Sequence, residues 1–452
     1  MLPLDILRII FDYLDFRSKI NFILVCSYFR NNLKITDLCN IERKYLKLLT
    51  TDILKYPIFK FVTSLNAGDN EKITNVSFMK LLKNLIASYD CGINQNGIKN
   101  LDLIELNIDY NKKINNVSFM KSLKNLSIVC YTGLQQSNIN KLNLVVLDAS
   151  YNTTITNVSF MKSLKKLCVY GTCGINQNGI RGLNLVELDA TNNSKITNIS
   201  FMKSLKILKA SEFCGINQNG IEGLDLVEFH VNDNWKIKNI SFMKSLKILH
   251  ACRNSGIDQN GIYGLDLVRL NVNNNNNIVN VSFMKSLKIL DAWNCGINQN
   301  GIKGLDLIKL DASINKNIIN VSFMKSLKIL DAWKSCGINQ NGIQNLNLTE
   351  LIAGDNPKIT NVSFMKSLKI LDIHGNCGIN QNGIKNLELV ELNAYNNNKI
   401  KNVSFMKSLK KLNIRGTCGI GQNGINGLNI IDLRHDDNNK IMNVSFMKSL
   451  KK

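Results

Sequence analysis

Seven cysteines have the chemistry that most needs explaining, because they recur in copies of one segment, Cys-Gly-Ile-Asn-Gln-Asn-Gly-Ile, with one substitution in the last copy. They are Cys91, Cys173, Cys214, Cys295, Cys336, Cys377 and Cys418. If the copies stack as repeats, successive thiols usually lie ~10 Å apart, beyond the ~7 Å Cα separation that a disulfide tolerates. No Cys-x-x-Cys or Cys/His pair has the spacing of a metal site. We therefore expect buried thiols, with no metal and no cofactor.

Histidine offers little support for catalysis. The chain has four histidines, and it contains no phosphate-binding Gly-x-x-x-x-Gly-Lys, no His-Glu-x-x-His and no nucleophile elbow. His374 follows Asp372 by two positions, which places both on one face of a strand without making them a catalytic dyad. We expect a protein that is not an enzyme, with any catalysis left to its partners.

The residues best suited to binding are aromatic and acidic, and they stand where otherwise similar segments differ from one another. Trp293 and Trp333, read as exposed, supply large rigid apolar surfaces beside carboxylates, as an interface anchor requires. The candidate target-binding residues are Asp291, Trp293, Asp311, Asp331, Trp333, Asp372, His374 and Tyr395. Neutral drift at unconstrained surface positions is the alternative explanation, which a single sequence leaves open.

The lysines suggest a different kind of partner. Lysine and arginine total 56 against 34 aspartates and glutamates, for a formal net charge of +22. Pairs such as Lys285 and Lys288 recur beside the leucine that opens alternate strands, so they form a basic ridge able to touch nucleic-acid phosphates. Because these lysines are copied with the repeat and have no interleaved aromatic residues, a solvated face is the simpler explanation.

A long internal repeat must position all of these residues. The segment Asn-Val-Ser-Phe-Met-Lys-Ser-Leu occurs ten times with small changes, at steps of 41 residues and one step of 40. Each unit contains two halves with the spacing Leu-x-x-Leu-x-Leu/Ile/Ala, so nineteen coils begin between Val62 and Ile430. A fixed period of this length predicts stacked coils that bury their apolar faces on one another.

An asparagine stands eight positions after the first leucine of every second coil. A buried amide can pair the backbone groups where the chain turns out of the strand. The ladder comprises Asn111, Asn152, Asn193, Asn234, Asn275, Asn315, Asn356 and Asn397, with Asn70 and Asn438 in the terminal coils. Phe78, Met79 and their equivalents recur in every unit, which predicts that both belong to the core.

The pattern Leu-x-x-Leu-x-Leu-x-x-Asn resembles the leucine-rich repeat over residues 61–452. The resemblance implies an α/β repeat solenoid, with parallel strands on a concave face and short 3₁₀ or helical turns on a convex face. The candidate target-binding residues would then lie on the concave face.

Residues 1–40 lie outside the repeat and have the apolar spacing of packed helices. Their order of residues, Leu-Pro-x-Asp-Ile-Leu-x-x-Ile-Phe-x-Tyr-Leu and then Leu-Val-Cys, resembles the F-box, a small all-α domain. The resemblance implies that Leu2, Pro3, Ile6, Ile10, Leu14, Val25 and Cys26 bind a Skp-type adaptor. Asp15, Ser18, Lys19 and Phe29 depart from the residues usual in that family. A simple helical cap on the first coil is the alternative, and residues 41–60 are predicted to be the junction.

Together these features predict a non-catalytic substrate receptor of a cullin-type ubiquitin ligase, whose F-box holds the adaptor and whose repeats hold a target protein. There are two alternatives: a scaffold without a ubiquitin role, and a basic nucleic-acid-binding array. The N-terminus lacks the pattern of a secretory signal, and no apolar run approaches the ~20 residues that span a bilayer. We expect a location in the cytoplasm or nucleus, without membrane contact.

Overall fold

The structure, a computed structural model, describes residues 4–450 and divides into two compact units. The N-terminal unit ends at Leu224 and the C-terminal unit begins at Asp225. The α-helices all lie in the N-terminal unit: α1 Leu4–Tyr13, α2 Phe16–Val25, α3 Ser27–Asn32, α4 Arg43–Leu46 and α5 Thr51–Leu54. No helix in this described range is long and apolar enough to cross a membrane.

The first three helices form where the sequence predicts a helical region. In α1, Leu7 and Phe11 are one helical turn apart and buried, as expected for the core side of an amphipathic helix. Asp15 caps α2, and its carboxylate accepts a hydrogen bond from the Ser18 backbone N–H at 2.7 Å. Asp15 and Ser18, which depart from the usual F-box sequence, therefore begin the second helix.

The N-terminal unit contains nine parallel strands that pair in chain order. They are β1 Asp37–Leu38, β2 Ser64–Asn66, β3 Asn84–Ile86, β4 Glu105–Asn107, β5 Asn125–Ser127, β6 Val146–Asp148, β7 Lys166–Cys168, β8 Glu187–Asp189 and β9 Ile207–Lys209. β1 lies within the segment predicted to be helical. It joins the sheet because Leu38 pairs with Leu65 and is fully buried beside it.

The C-terminal unit contains eleven parallel strands, which also pair in chain order. They are β10 Glu228–His230, β11 Ile248–His250, β12 Arg269–Asn271, β13 Ile289–Asp291, β14 Lys309–Asp311, β15 Ile329–Asp331, β16 Glu350–Ile352, β17 Ile370–Asp372, β18 Glu391–Asn393, β19 Lys411–Asn413 and β20 Asp432–Arg434. The predicted parallel-strand solenoid is therefore confirmed in both units.

Short turns complete each coil. The Gln-Asn-Gly-Ile half forms 3₁₀ turns, whereas Asn-Val-Ser-Phe-Met-Lys-Ser-Leu forms only irregular turns. The 3₁₀ turns are Pro57–Phe59, Gln95–Ile98, Gln136–Asn138, Asn178–Ile180, Asn219–Ile221, Asn260–Ile262, Asn300–Ile302, Asn341–Ile343, Gln381–Ile384 and Gln422–Ile425. These turns are short because few residues remain in each coil after the strand.

The prediction that the recurring phenylalanines belong to the core is wrong, whereas that for the methionines holds. Met324 is fully buried, but Phe323 keeps 37% of its surface exposed. Val321 and Met324 point inward three positions apart, and the turn between them directs the phenylalanine outward. Phe119, Phe201, Phe242, Phe364 and Phe446 are exposed in the same way.

Three sets of polar side chains tie each coil to the next. The Asn315 amide donates to the carbonyl oxygens of Ala292 (3.4 Å) and Ile297 (3.0 Å) in the preceding coil. Gln299 donates to the Asn320 carbonyl oxygen and accepts its backbone N–H. Asp306 accepts both the backbone N–H and the hydroxyl of the serine at 326 in the next coil. These repeated residues hold the strands in register.

Candidate functional site

Residues two, four and six places after the first leucine of each strand segment line one side of the sheet, which we call the open face. In the C-terminal unit, Trp293, Ser313 and Trp333 occupy the sixth place on three adjacent strand segments. Backbone hydrogen bonds from the amide of residue 294 to Ser313 and from that of residue 314 to Trp333 set this register. Both indoles are half-buried rather than exposed as predicted, because neighbouring strand segments flank them.

A hydrogen-bonded network fixes the indole of Trp333. Its Nε1–H donates to Nε2 of His374 at 3.1 Å, and Nδ1 of His374 lies 2.6 Å from Oδ1 of Asp372. Because an indole nitrogen can only donate, Nε2 is the acceptor and the proton on Nδ1 faces Asp372. Asp355 Oδ2 stands 3.8 Å from Nε2. The structure thus brings together three of the predicted target-binding residues.

Gly354 makes this network possible. Trp333 and His374 follow β15 and β17, and the sixth place on the intervening β16 segment is Gly354. A Cβ atom there would lie 2.2 Å from Cε1 of His374, which is closer than such atoms approach. Glycine is therefore required for the imidazole to cross the middle strand and reach the indole.

The predicted aspartates lie two residues before the tryptophan row, at the fourth place of their strand segments, and they form a second row on the open face. They differ in their hydrogen-bond and ion-pair partners. Asp291 is buried and pairs with Arg269 at 3.4 Å. Asp311 accepts the hydroxyl of Ser313 at 2.6 Å, and Asp331 accepts the backbone N–H of Trp333 at 3.0 Å. In residues 4–450, neither Asp311 nor Asp331 forms an ion pair with a basic side chain.

The pKa of Asp331 is raised to about 6, first by burial and then by the charges of Asp311 and Asp372, against the lowering effect of its hydrogen bonds. Asp372 has a separate partner, the side-chain amide of Asn393 at 2.8 Å. The centre of the row therefore carries carboxylates that are short of compensating positive charge.

Tyr395 lies farther along the sheet, on the segment that follows β18. Its ring stands near Gly416, where an added Cβ would come within 3.3 Å of Cε2. It is 42% exposed. The structure places Tyr395 on the open face but separates it from Trp333 by two strands.

Sequence reasoning placed Ser313 on the concave face but missed Arg269, Gly354 and Asp355. Gly354 carried a signal, because it interrupts a position where neighbouring coils carry tryptophan, histidine or tyrosine. Arg269 and Asp355 contact their partners across strands, and the spacing along the chain does not reveal such contacts.

The open face of the N-terminal unit has a groove with a volume of 560 Å³. Two acids on this face have basic partners: Lys166 pairs with Glu187 at 2.9 Å, and Lys209 with Asp189 at 3.5 Å. The groove also contains Cys168, whose pKa burial raises to about 12. The thiol is therefore protonated at neutral pH and is a poor nucleophile.

The repeated cysteines are buried, and all twelve cysteines of the chain have free thiols in the structure. Burial raises the pKa of Cys336 to about 12. Across residues 4–450, no group of three or more His, Cys, Asp or Glu side chains is arranged to hold a metal ion.

The N-terminal helices expose a second candidate surface. In α1, Ile6 and Ile10 are 44% and 39% exposed, and Val25 at the end of α2 is 70% exposed. Leu14 and Cys26 are half-buried, while Leu2 and Pro3 lie outside the described residues. Ile9, Tyr13 and Leu24 are exposed too and were not predicted to bind. In α1, Ile9 and Tyr13 share the helical spacing of Ile6 and Ile10, which could have revealed them.

Comparisons with known proteins identify the helical segment. A sequence profile described as the F-box domain matches residues 1–39. The search of curated proteins found no matching relative. The chain therefore carries an F-box domain at its N-terminus.

Solved structures share the solenoid architecture only distantly. A TLR13–ssRNA13 complex matches at 17% identity over 93% of this chain and 76% of that chain, with a TM-score of 0.47. The mouse RP105/MD-1 complex matches at 14% identity over 90% and 75%, with a TM-score of 0.48. The yeast Rad7–Elc1 complex matches at 16% identity over 81% and 90%, with a TM-score of 0.34.

Proposed function

From an N-terminal F-box domain joined to a parallel-strand solenoid, we propose that this protein is a substrate-receptor subunit of a cullin-type ubiquitin ligase. The F-box helices bind a Skp-type adaptor, and the open face of the solenoid binds the protein to be modified. The receptor performs no covalent chemistry itself. It acts by proximity, since it holds the target near a conjugating enzyme that the rest of the ligase recruits.

The observation that carries the proposal is the F-box match on helices whose apolar side chains face solvent. Leu7 and Phe11 already supply the core side of α1, so Ile6, Ile10 and Val25 are not needed to fold it. Exposed apolar residues of this kind mark interaction sites. The adaptor would cover them.

The framework lysines give less support to a nucleic-acid-binding array. The ammonium of Lys285 donates to the Ser282 carbonyl oxygen at 2.6 Å, and that of Lys288 to the Asp306 carbonyl oxygen at 3.3 Å. Lys325 and Lys366 repeat the first contact in their own coils. These lysines help to hold the turns in place, which accounts for their repetition without a phosphate partner.

Co-purification of the full chain with a purified Skp-type adaptor tests the proposal. We expect Ile10→Ser combined with Val25→Ser to weaken adaptor binding about 100-fold, because both substitutions remove apolar surface from the contact. Phe323→Ser combined with Phe364→Ser is the matched control, since these side chains are 37% and 39% exposed but lie on the solenoid. The control should bind normally.

Two outcomes would overturn the proposal. If the unaltered chain fails to retain the adaptor, the ligase role is wrong and the solenoid is better described as a scaffold. If both double variants bind equally well, the F-box surface is misassigned.

A further inference from the structure

We propose that the open face between Trp293 and Trp333 binds a basic side chain, arginine or lysine, of an extended segment of the captured protein. The inference rests on the proposed function, in which the solenoid captures a protein. It adds the chemical class of side chain that this surface recognises.

The first support is the space above Ser313, a small residue that stands between two tryptophans. Ser313 separates Trp293 from Trp333, and its small buried side chain turns its hydroxyl to Asp311 at 2.6 Å. Strand segments two apart are separated by ~9.6 Å, so a group held above Ser313 lies ~5 Å from the strand segment of each tryptophan. The Trp333 ring attracts a cation within the structure itself, because the ammonium of Lys334 lies 5.2 Å from its centroid, inside the ~6 Å range of this interaction. The space thus suits an ammonium or a guanidinium group.

The second support is charge. Asp311 and Asp331 stand one step along the same strands, without an ion-pair partner in the described part of the chain, whereas Asp291 already has Arg269. Two basic residues of these three segments lie near the site: Lys309 occupies an open-face position, and Lys334 holds its ammonium over the Trp333 ring rather than in an ion pair with Asp311 or Asp331. A basic side chain from a partner would form charge-assisted hydrogen bonds with these carboxylates. A phosphate would be repelled by them.

The third support is that one wall of the space is already held in place. His374 accepts the Trp333 indole N–H, and Asp372 orients His374 in turn. A side chain that is fixed before binding loses less conformational entropy when the partner arrives. Gly354 contributes indirectly, because any larger residue would displace His374.

Fluorescence anisotropy with three labelled peptides tests the proposal on the full chain. Each peptide is an uncharged Gly-Ser sequence with two central residues, spaced two apart, that are both arginine, both lysine or both glutamine. We expect the arginine or lysine peptide to bind at least tenfold more tightly than the glutamine peptide. The better of the two identifies the preferred cation, since only arginine presents a planar group that can stack between indoles.

Two double variants locate the binding. Asp311→Asn with Asp331→Asn keeps the side-chain shape, and Trp293→Ala with Trp333→Ala removes the walls; each should weaken binding at least tenfold. The matched control is Asp148→Asn with Asp189→Asn. Asp148 accepts the Ser150 hydroxyl at 2.6 Å as Asp311 accepts that of Ser313, but no tryptophan stands on its strand segment. The control should bind within twofold of the parent.

Equal binding of the glutamine peptide, or equal loss in the control variant, would overturn the proposal. Displacement of the basic peptide by a single-stranded oligonucleotide that binds at the tryptophans would overturn it as well. Adaptor retention is measured on the same variants. Normal retention with no basic preference refutes this inference alone, whereas loss of retention in the parent refutes the proposed function.

Discussion

The N-terminal helices and the solenoid coils differ in where they leave apolar side chains exposed. In the coils, Leu290, Leu310 and Leu330 are fully buried, because each coil covers the next. In α1, Ile6 and Ile10 remain exposed although the helix already buries Leu7 and Phe11. The coils therefore complete their own core and expose one phenylalanine at a turn, while α1 exposes apolar side chains that follow one another at helical spacing. In the proposed receptor, target specificity on the solenoid comes from the polar and aromatic residues of the open face.

Removing a ladder asparagine should destabilise the packing of one coil on the next. Asn315→Ala leaves the carbonyl oxygens of Ala292 and Ile297 without their amide donor, and it leaves the backbone N–H of Asn317 without its acceptor. We expect a loss of about 1–3 kcal/mol in the free energy of unfolding. Hydrogen exchange over residues 280–350 measures it as faster exchange of the strand amides.

Asn317→Ala is the control for that experiment, because Asn317 is exposed and only its backbone N–H contacts Asn315. We expect the control to change stability by less than about 0.5 kcal/mol. Equal protection in the parent and in Asn315→Ala would show that the ladder does not stabilise the coils.

A smaller effect is expected on the open face, where the ionisation of Asp331 should make the free energy of unfolding depend on pH. The folded-state pKa of Asp331 is raised from 3.8 to about 6, so the folded chain holds this proton more tightly than the unfolded chain does. The resulting stability is fully present below pH 3.8 and is lost as the pH rises through about 6. We expect this group to account for a loss of about 1–2 kcal/mol across that window.

Urea unfolding followed by tryptophan fluorescence at pH 4 and pH 7 measures this loss. Asp331→Asn cannot ionise, so the difference in unfolding free energy between parent and variant should change with pH. A difference that is the same at both pH values would show that Asp331 is adequately compensated in the folded state.

The sequence predicted the repeated parts of the molecule well and the contacts between strands poorly. Period and leucine spacing are properties of the chain itself, so they were sufficient to predict parallel strands and short turns. The prediction that the Phe323 side chain points into the core was wrong, because recurrence in every unit does not show which way a side chain points. The hydrogen bond from Trp333 to His374 depends on Gly354, which lies on the strand segment between them. The role of Gly354 is therefore visible only in the three-dimensional structure.

The claim that the helices, and not the solenoid, bind the adaptor is tested most directly by hydrogen exchange of the full chain with and without the purified Skp-type adaptor. We predict that the adaptor slows exchange in residues 4–32, where the exposed apolar side chains lie, and leaves the strand amides of residues 225–450 unchanged. Slower exchange along the C-terminal strands, with none in α1 and α2, would contradict the account. In that case the adaptor would bind the solenoid, and the helices would have to be regarded as a cap.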